Sequence, residues 1–414
     1  MEYVSSRDKG LRVSAAQAIA AGIAPGGGLF CPTEFPALSA DEMQALLGMD
    51  YKGRAAHILG KFLTDFSAEE LTGFAAKAYA DEKFGGPDTA PVKSLADGVH
   101  MLELWHGPTC AFKDMALQML PHLLTASLRK TGETRTCCIL VATSGDTGKA
   151  ALEGFADVPG TKIMVYYPVD GVSPMQKLQM VTQQGQNVEV VAIEGNFDDA
   201  QSAVKRIFTD ADVIRRMNDA GCIFSSANSI NWGRLAPQIA YYVSAYCDLV
   251  TTGKIAMGDP VNVCVPTGNF GNILAAYIAK QMGLPVGKLV CASNQNNVLT
   301  DFFRQGGKRR RDRLAGQGGK RIQLADACCI DCLTQRGCNR AAELEGARRR
   351  GDDHRGAVSC ARAVIRINLD GDCGMGVKQI ALCLENPADR LRGLRVVAAA
   401  RIEIGRQFVP EICR

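Results

Sequence analysis

The chain has 414 residues, 47% of them hydrophobic, a mean hydropathy of −0.02 and a formal net charge of +4. This length and balance suit a globular chain of two or three domains and exclude a disordered or fibrous one. No apolar run approaches the roughly 18 residues needed to span a bilayer, and residues 1–9 are polar with no apolar stretch behind them, so a cytoplasmic protein is expected.

In chain order, the first 92 residues carry helical patterns around Ser39 to Met49 and Ser67 to Phe84, with a Gly26-Gly27-Gly28 turn before them. They are read as a separate N-terminal domain that ends near Gly85-Gly86-Pro87 and Pro91, residues that punctuate regular structure. From Arg135 onward β-branched runs alternate with amphipathic stretches, the rhythm of βα units and a parallel sheet. Buried strands are predicted at Thr136 to Ala142, Lys162 to Tyr167, Val188 to Ile193, Val261 to Val265 and Leu289 to Ala292. A helix is predicted from Ile273 to about Met282. The expected divisions are 1–92, a lysine-bearing small α/β domain over 93–225, a large α/β domain over 226–304, and a tail over 305–414.

That tail differs in kind from the rest. Residues 1–304 hold 25 Lys+Arg against 30 Asp+Glu, net −5, while residues 305–414 hold 22 against 13, net +9. Of 29 arginines 19 lie in the tail, whereas Phe408 is its one aromatic residue, so it lacks the large side chains that anchor cores. Half of the 16 cysteines are there too, and with no secretory context all are expected to be reduced. Three readings apply. One is a basic nucleic-acid arm built on Lys308-Arg309-Arg310-Arg311, and another a zinc site from Cys328, Cys329, Cys332 and Cys338. The preferred one is translation in a shifted frame of a GC-rich gene, which enriches Arg, Gly, Ala and Cys and depletes aromatics together. No nucleic-acid partner is expected.

Three segments carry chemistry. Trp105 to Asp114 places Lys113 in an apolar, Gly/Pro-shaped stretch at a helix start, where burial would disfavour the ammonium form and suit the amine to Schiff-base chemistry. Thr143-Ser144-Gly145-Asp146-Thr147-Gly148 joins a strand to a helix and offers hydroxyls and backbone donors, either to a substrate carboxylate or simply as a helix cap. Pro266 to Asn272, with Gly268, Asn269, Phe270, Gly271 and Asn272, also joins strand to helix and would suit a phosphate at the positive helix end.

In this order the segments resemble threonine synthase of the bacterial and fungal type. Tyr3-Val4-Ser5-Ser6-Arg7, Gly26 to Phe30, Ser226 to Arg234 and Ser293 to Asn297 extend the resemblance over about residues 2–304. It implies a fold type II architecture, an α/β fold of open parallel and mixed sheets flanked by helices, and pyridoxal 5'-phosphate as cofactor. The implied reaction converts O-phospho-L-homoserine and water to L-threonine and phosphate. The resemblance assigns Lys113 the cofactor linkage and proton transfer, Gly268 to Asn272 the cofactor phosphate, and Ser144, Gly145, Asp146 and Thr147 the substrate carboxylate and ring edge. Asn228, Ser229, Asn231 and Arg234 line the implied substrate site or start a helix, with the Arg234 fork suited to the substrate phosphate. No metal is implied. The family's closing Thr/Ser-x-x-Pro-x-Lys-Phe element does not occur here, so no partner for the pyridine nitrogen is assigned. Alternatives are a related lyase yielding 2-oxobutyrate, or a catalytically incomplete product.

Overall fold

The computed structural model describes residues 1–143, 145–266 and 270–292, with the backbone of two strands at 328–329 and 363–368. Strands β1 (Tyr3–Ser5), β2 (Arg12–Val13) and β3 (Phe30–Pro32) form an antiparallel sheet of order β2-β1-β3, with α1 (Ala15–Ala21) between its second and third strands. Next come α2 (Ala40–Leu47), α3 (Tyr51–Phe62), α4 (Ala68–Ala78) and α5 (Asp81–Phe84). Ser14, Ser39 and Ser67 start α1, α2 and α4 by accepting a backbone N–H, while Gln17, Glu42 and Glu70 accept the cap's own N–H. Each reciprocal pair satisfies amides that a helix start leaves without partners. The pattern read as one helix over 67–84 is therefore broken in two, because Tyr79 leaves helical geometry (φ −111°, ψ 37°), is fully buried, and donates its hydroxyl to the Met115 carbonyl at 2.7 Å.

The chain continues through β4 (Val92–Ala96), β5 (Val99–Glu103), α6 (Asp114–Leu117) and α7 (Leu120–Lys130). It then alternates β6 (Thr136–Ala142), α8 (Asp146–Phe155), β7 (Thr161–Pro168), α9 (Pro174–Val181), β8 (Val188–Ile193), α10 (Phe197–Ile207), α11 (Ala211–Asp219) and β9 (Cys222–Ser225). Beyond these lie α12 (Trp232–Leu235), α13 (Pro237–Thr251), β10 (Val261–Pro266), α14 (Gly271–Gln281), β11 (Val286–Ala292), β12 (Cys328–Cys329) and β13 (Ala363–Asn368). One sheet is parallel throughout, in the order β8-β7-β6-β9. The other is mixed, in the order β12-β11-β10-β13-β5-β4. Residues 93–103, grouped above with the small domain, thus pair into the second sheet. Strand β8 lies where it was predicted but is not buried: it is the edge strand, paired only to β7, and each of its residues keeps some exposure.

Helix α13 is the centre of the packing. Its sequence is apolar on nearly every side, so it must be enclosed rather than half-solvated, and it is packed against α3 and α14. Arg54 of α3 fastens the N-terminal helices to it. The guanidinium donates to Ser244 Oγ at 2.9 Å, to Asp248 Oδ1 at 2.5 Å and to the Leu46 carbonyl at 2.9 Å. Trp232 of α12 is gripped edge-on by Tyr3 and Phe62, each with its ring centroid 5.5 Å away. That aromatic grip sets where α12, and therefore Arg234, can lie. Among the described residues, no helix is long and apolar enough to cross a membrane.

Candidate active site

Lys113 begins α6 and is 6% exposed, so the burial expected of it is found. Its Nζ lies 2.5 Å from Oδ1 of Asp146, the first residue of α8. The preceding loop is tied down by Asp114, whose carboxylate accepts the Thr109 amide at 2.8 Å and the Thr109 hydroxyl at 2.7 Å. Burial pushes the Asp114 carboxyl up to about 6, while the bonds from Thr109 pull the other way. Close helix packing delivers Asp146 to Lys113. A Cβ added to Gly154 of α8 would sit 2.2 Å from the Leu117 carbonyl oxygen of α6, so any larger residue would push the two helices apart.

Gly145 is the cap residue of α8, and Thr143 closes the turn before it. The Thr143 hydroxyl accepts the amides of Gly145 and Gly148, both at 3.0 Å, and shapes the turn in which Gly145, Asp146 and Thr147 stand. Gly148 has no space for a side chain, since a Cβ would come 2.7 Å from Thr143 and 2.5 Å from Met180. Ser144 lies outside the described residues, as do Gly268 and Asn269.

Facing this loop are residues from α12 to α14. Arg234 is 4% exposed, and its Nη1 donates to the Ala227 carbonyl at 2.8 Å, but its buried Nε has no hydrogen-bond partner. Burial lowers its pKa to about 10, opposed by the charges of Asp146 and Tyr241. Ser229 stands against the first turn of α14, where a Cβ on Gly271 would meet its own at 3.5 Å. Asn228 donates to the Ala142 carbonyl at the end of β6, 3.2 Å away. The side chain of Asn231 is engaged on both ends. Oδ1 accepts the Gly233 amide at 2.9 Å as the cap of α12, and Nδ2 donates to the Ile19 and Ser226 carbonyls at 3.1 and 2.9 Å. Of the two readings held open for Asn231, those bonds describe the helix-start one.

At the start of α14, Phe270 precedes the helix, Gly271 opens it, and Asn272 is 3% exposed with a buried Nδ2 that lacks a partner. Arg234 Nε and Asn272 Nδ2 are thus buried donors awaiting an acceptor, next to the positive end of a helix. Buried donors are seldom left so, and an oxyanion is the group that answers them. The buried amine of Lys113 and the Asn272 donor at the start of α14 fit pyridoxal phosphate, which needs one amine and one phosphate cradle, and leave the Arg234 donor for a second anion.

The family profile described as "Pyridoxal-phosphate dependent enzyme" matches residues 93–326, and that described as "Threonine synthase N terminus" matches residues 2–79. The chain belongs to the threonine synthase family of pyridoxal-phosphate-dependent enzymes. Its fold superimposes on the threonine synthase of Brucella melitensis, solved with PLP bound, with a TM-score of 0.68 at 32% identity, covering 89% of this chain and 78% of that one. The threonine synthase of Escherichia coli gives a TM-score of 0.65 at 31% identity, covering 89% and 77%. Among curated relatives, threonine synthase-like 1 of Homo sapiens is 46% identical over 310 residues, which is 73% of this chain and 41% of the relative. Threonine synthase of Schizosaccharomyces pombe is 39% identical over 314 residues, 74% of this chain and 59% of the relative. The match therefore spans about half the length of these curated relatives. The family is one of lyases that use pyridoxal phosphate.

Sequence reasoning held a helix-cap reading open for Thr143 to Gly148 but missed which residue of that loop accepts the amides, Thr143. It also missed Tyr241 and Tyr242, whose hydroxyls touch Asn272. Two tyrosines inside an apolar helix carry no local mark of that task.

Proposed function

We propose that this chain carries a threonine synthase site, which converts O-phospho-L-homoserine and water to L-threonine and phosphate with pyridoxal phosphate held at Lys113. The reading rests most on one observation: a buried lysine amine is paired to Asp146, whose charge also acts on buried Arg234, and Arg234 Nε and Asn272 Nδ2 have no acceptor among the described residues. When bound, the cofactor withdraws electrons from substrate carbons next to the amino group. Nζ of Lys113 then moves protons at Cα and its neighbours, in a site from which burial excludes water. Asp146 holds that nitrogen in position. Gly145, Asp146 and Thr147, with Ser144, receive the substrate carboxylate on the turn that Thr143 shapes. Phe270, Gly271 and Asn272, with Gly268 and Asn269, cradle the cofactor phosphate, and Arg234 takes the substrate phosphate that leaves from Cγ. Asn228 and Ser229 line the wall between them, and Asn231 holds the start of α12. The divisions near residues 92, 225 and 304 form part of the same reading.

Purified protein supplied with pyridoxal phosphate should show a visible Schiff-base absorption that Lys113→Ala abolishes. With phosphohomoserine it should release threonine and phosphate. Release of 2-oxobutyrate and ammonia would instead assign the chain to a related lyase, and no bound cofactor at all would sink both readings. The out-of-frame reading of residues 305–414 is tested by resequencing the gene across the codons for Thr300 to Arg310. If the frame is confirmed there, a fusion of residues 1–304 to a family C-terminus should be no more active than the native chain.

A further inference from the structure

Helix α13 sends two consecutive tyrosines to one atom of α14. Successive helix residues diverge by about 100°, yet the hydroxyls of Tyr241 and Tyr242 lie 2.5 and 2.7 Å from Oδ1 of Asn272. The two rings tilt by 51° to bring this about, with centroids 4.8 Å apart, and both side chains are fully buried. A carboxamide oxygen accepts two hydrogen bonds and a phenol has one proton to donate. Two converging phenols therefore saturate Oδ1 and leave the amide NH2 as the donor end.

That NH2 is buried without a partner among the described residues. The opposite amide orientation would also satisfy both phenols, but it would leave Oδ1 as the buried atom without a partner. Nδ2 could donate to both phenol oxygens, while Tyr241 donated to Gln238 Oε1, 3.3 Å away, and Tyr242 to the Asn272 carbonyl, 3.1 Å away. It would also turn a carbonyl oxygen toward whatever binds at the start of α14, which repels an anion. The observed orientation is the better one when an acceptor stands on the Nδ2 side.

We propose that Tyr241 and Tyr242 are positioning residues, which hold the Asn272 amide with Nδ2 as a donor to a phosphate bound at the start of α14. The proposal rests on the phosphate-cradle reading above, and its test separates the two. Apoprotein is titrated with pyridoxal phosphate and separately with pyridoxal, which lacks the phosphate, and the ratio of the two Kd values is read from absorbance. The combined variant Tyr241→Phe with Tyr242→Phe should weaken pyridoxal phosphate about tenfold and leave pyridoxal unchanged, since a charge-assisted hydrogen bond is lost and nothing at the lysine moves. Asn272→Ala should weaken it similarly, and adding it to the double variant should cost little more, because the three groups act as one. Each single Phe variant gives the same ratio if the double variant does not fold. Wild-type protein with no preference for pyridoxal phosphate over pyridoxal would overturn the cradle itself. A wild-type preference that survives intact in the Phe variants, or equal weakening of both ligands, would overturn the tyrosines' role alone.

Discussion

The two walls of the site differ in how complete they are. On the α6–α8 wall, the charge of Lys113 is met by Asp146, the carboxylate of Asp114 by Thr109, and the helix start by Thr143. On the α12–α14 wall, Arg234 and Asn272 are equally buried yet each keeps a donor with no acceptor among the described residues. Burying a donor without a partner costs about 1–3 kcal/mol, and more for a charged group, so this wall is less stable than its packing allows. The first wall pairs a lysine with a carboxylate, while the second gathers donors at Arg234 and Asn272.

The difference between the walls is largest at Arg234. Arg234→Met removes a buried charge and keeps most of the volume but takes the donor from the Ala227 carbonyl, so the ligand-free protein should lose no more than about 1–3 kcal/mol. Added phosphate should raise the melting temperature of wild type, by the equivalent of about 2.7 kcal/mol at a hundredfold excess over Kd, and raise that of Arg234→Met much less. A variant that keeps the full phosphate response would show that Arg234 holds no anion there.

The first wall should be sensitive to shape instead. Gly154→Ala forces a methyl group against the Leu117 carbonyl and should cost about 1–3 kcal/mol by denaturant unfolding. It should also weaken the covalent cofactor signal, because α8 carries Asp146 toward Lys113. An unfolding curve indistinguishable from wild type would refute the close helix contact.

A smaller effect sharpens the contrast through pH. The folded pKa of Asp114, about 6, lies above its ordinary value of 3.8. Its contribution to stability is therefore fully present below about pH 4 and is lost as pH rises through about 6. Asp114→Asn removes that dependence, so the melting temperature of wild type minus variant should fall between pH 4 and pH 6. A difference that rises over the same window would mean that the bonds from Thr109 outweigh burial.

Much of the βα region was legible in residues 136–292. β6 and β8 have the predicted ends, β7 and β10 are longer by one residue at one or both ends, and α14 starts two residues earlier than read. Their β-branched runs end in Gly-bearing loops, and that signal is local. The N-terminal sheet and α3 were not read. β1 to β3 have three residues or fewer each, too short for a period-two pattern to emerge. The break at Tyr79 was invisible because the Met115 carbonyl that holds its hydroxyl lies 36 residues away in the chain. Lys113, Asp146, Arg234 and Asn272 could each be picked out as a candidate, but nothing along the chain indicated that two of them would be satisfied and two left open.

By itself the sequence picked out the candidate groups: one lysine, two strand-to-helix loops and one arginine. Residue chemistry and short spacings suffice for that, since capping, turn formation and desolvating neighbours act within a few residues. Tertiary structure alone decided how those groups are partnered. Lys113 meets Asp146 only because Gly154 lets α8 lie on α6, and the Asn272 amide is held only because α13 brings two phenols to it. A hydrogen bond requires atoms within about 3 Å of each other, and across 30 or more residues of chain only packing supplies that precision.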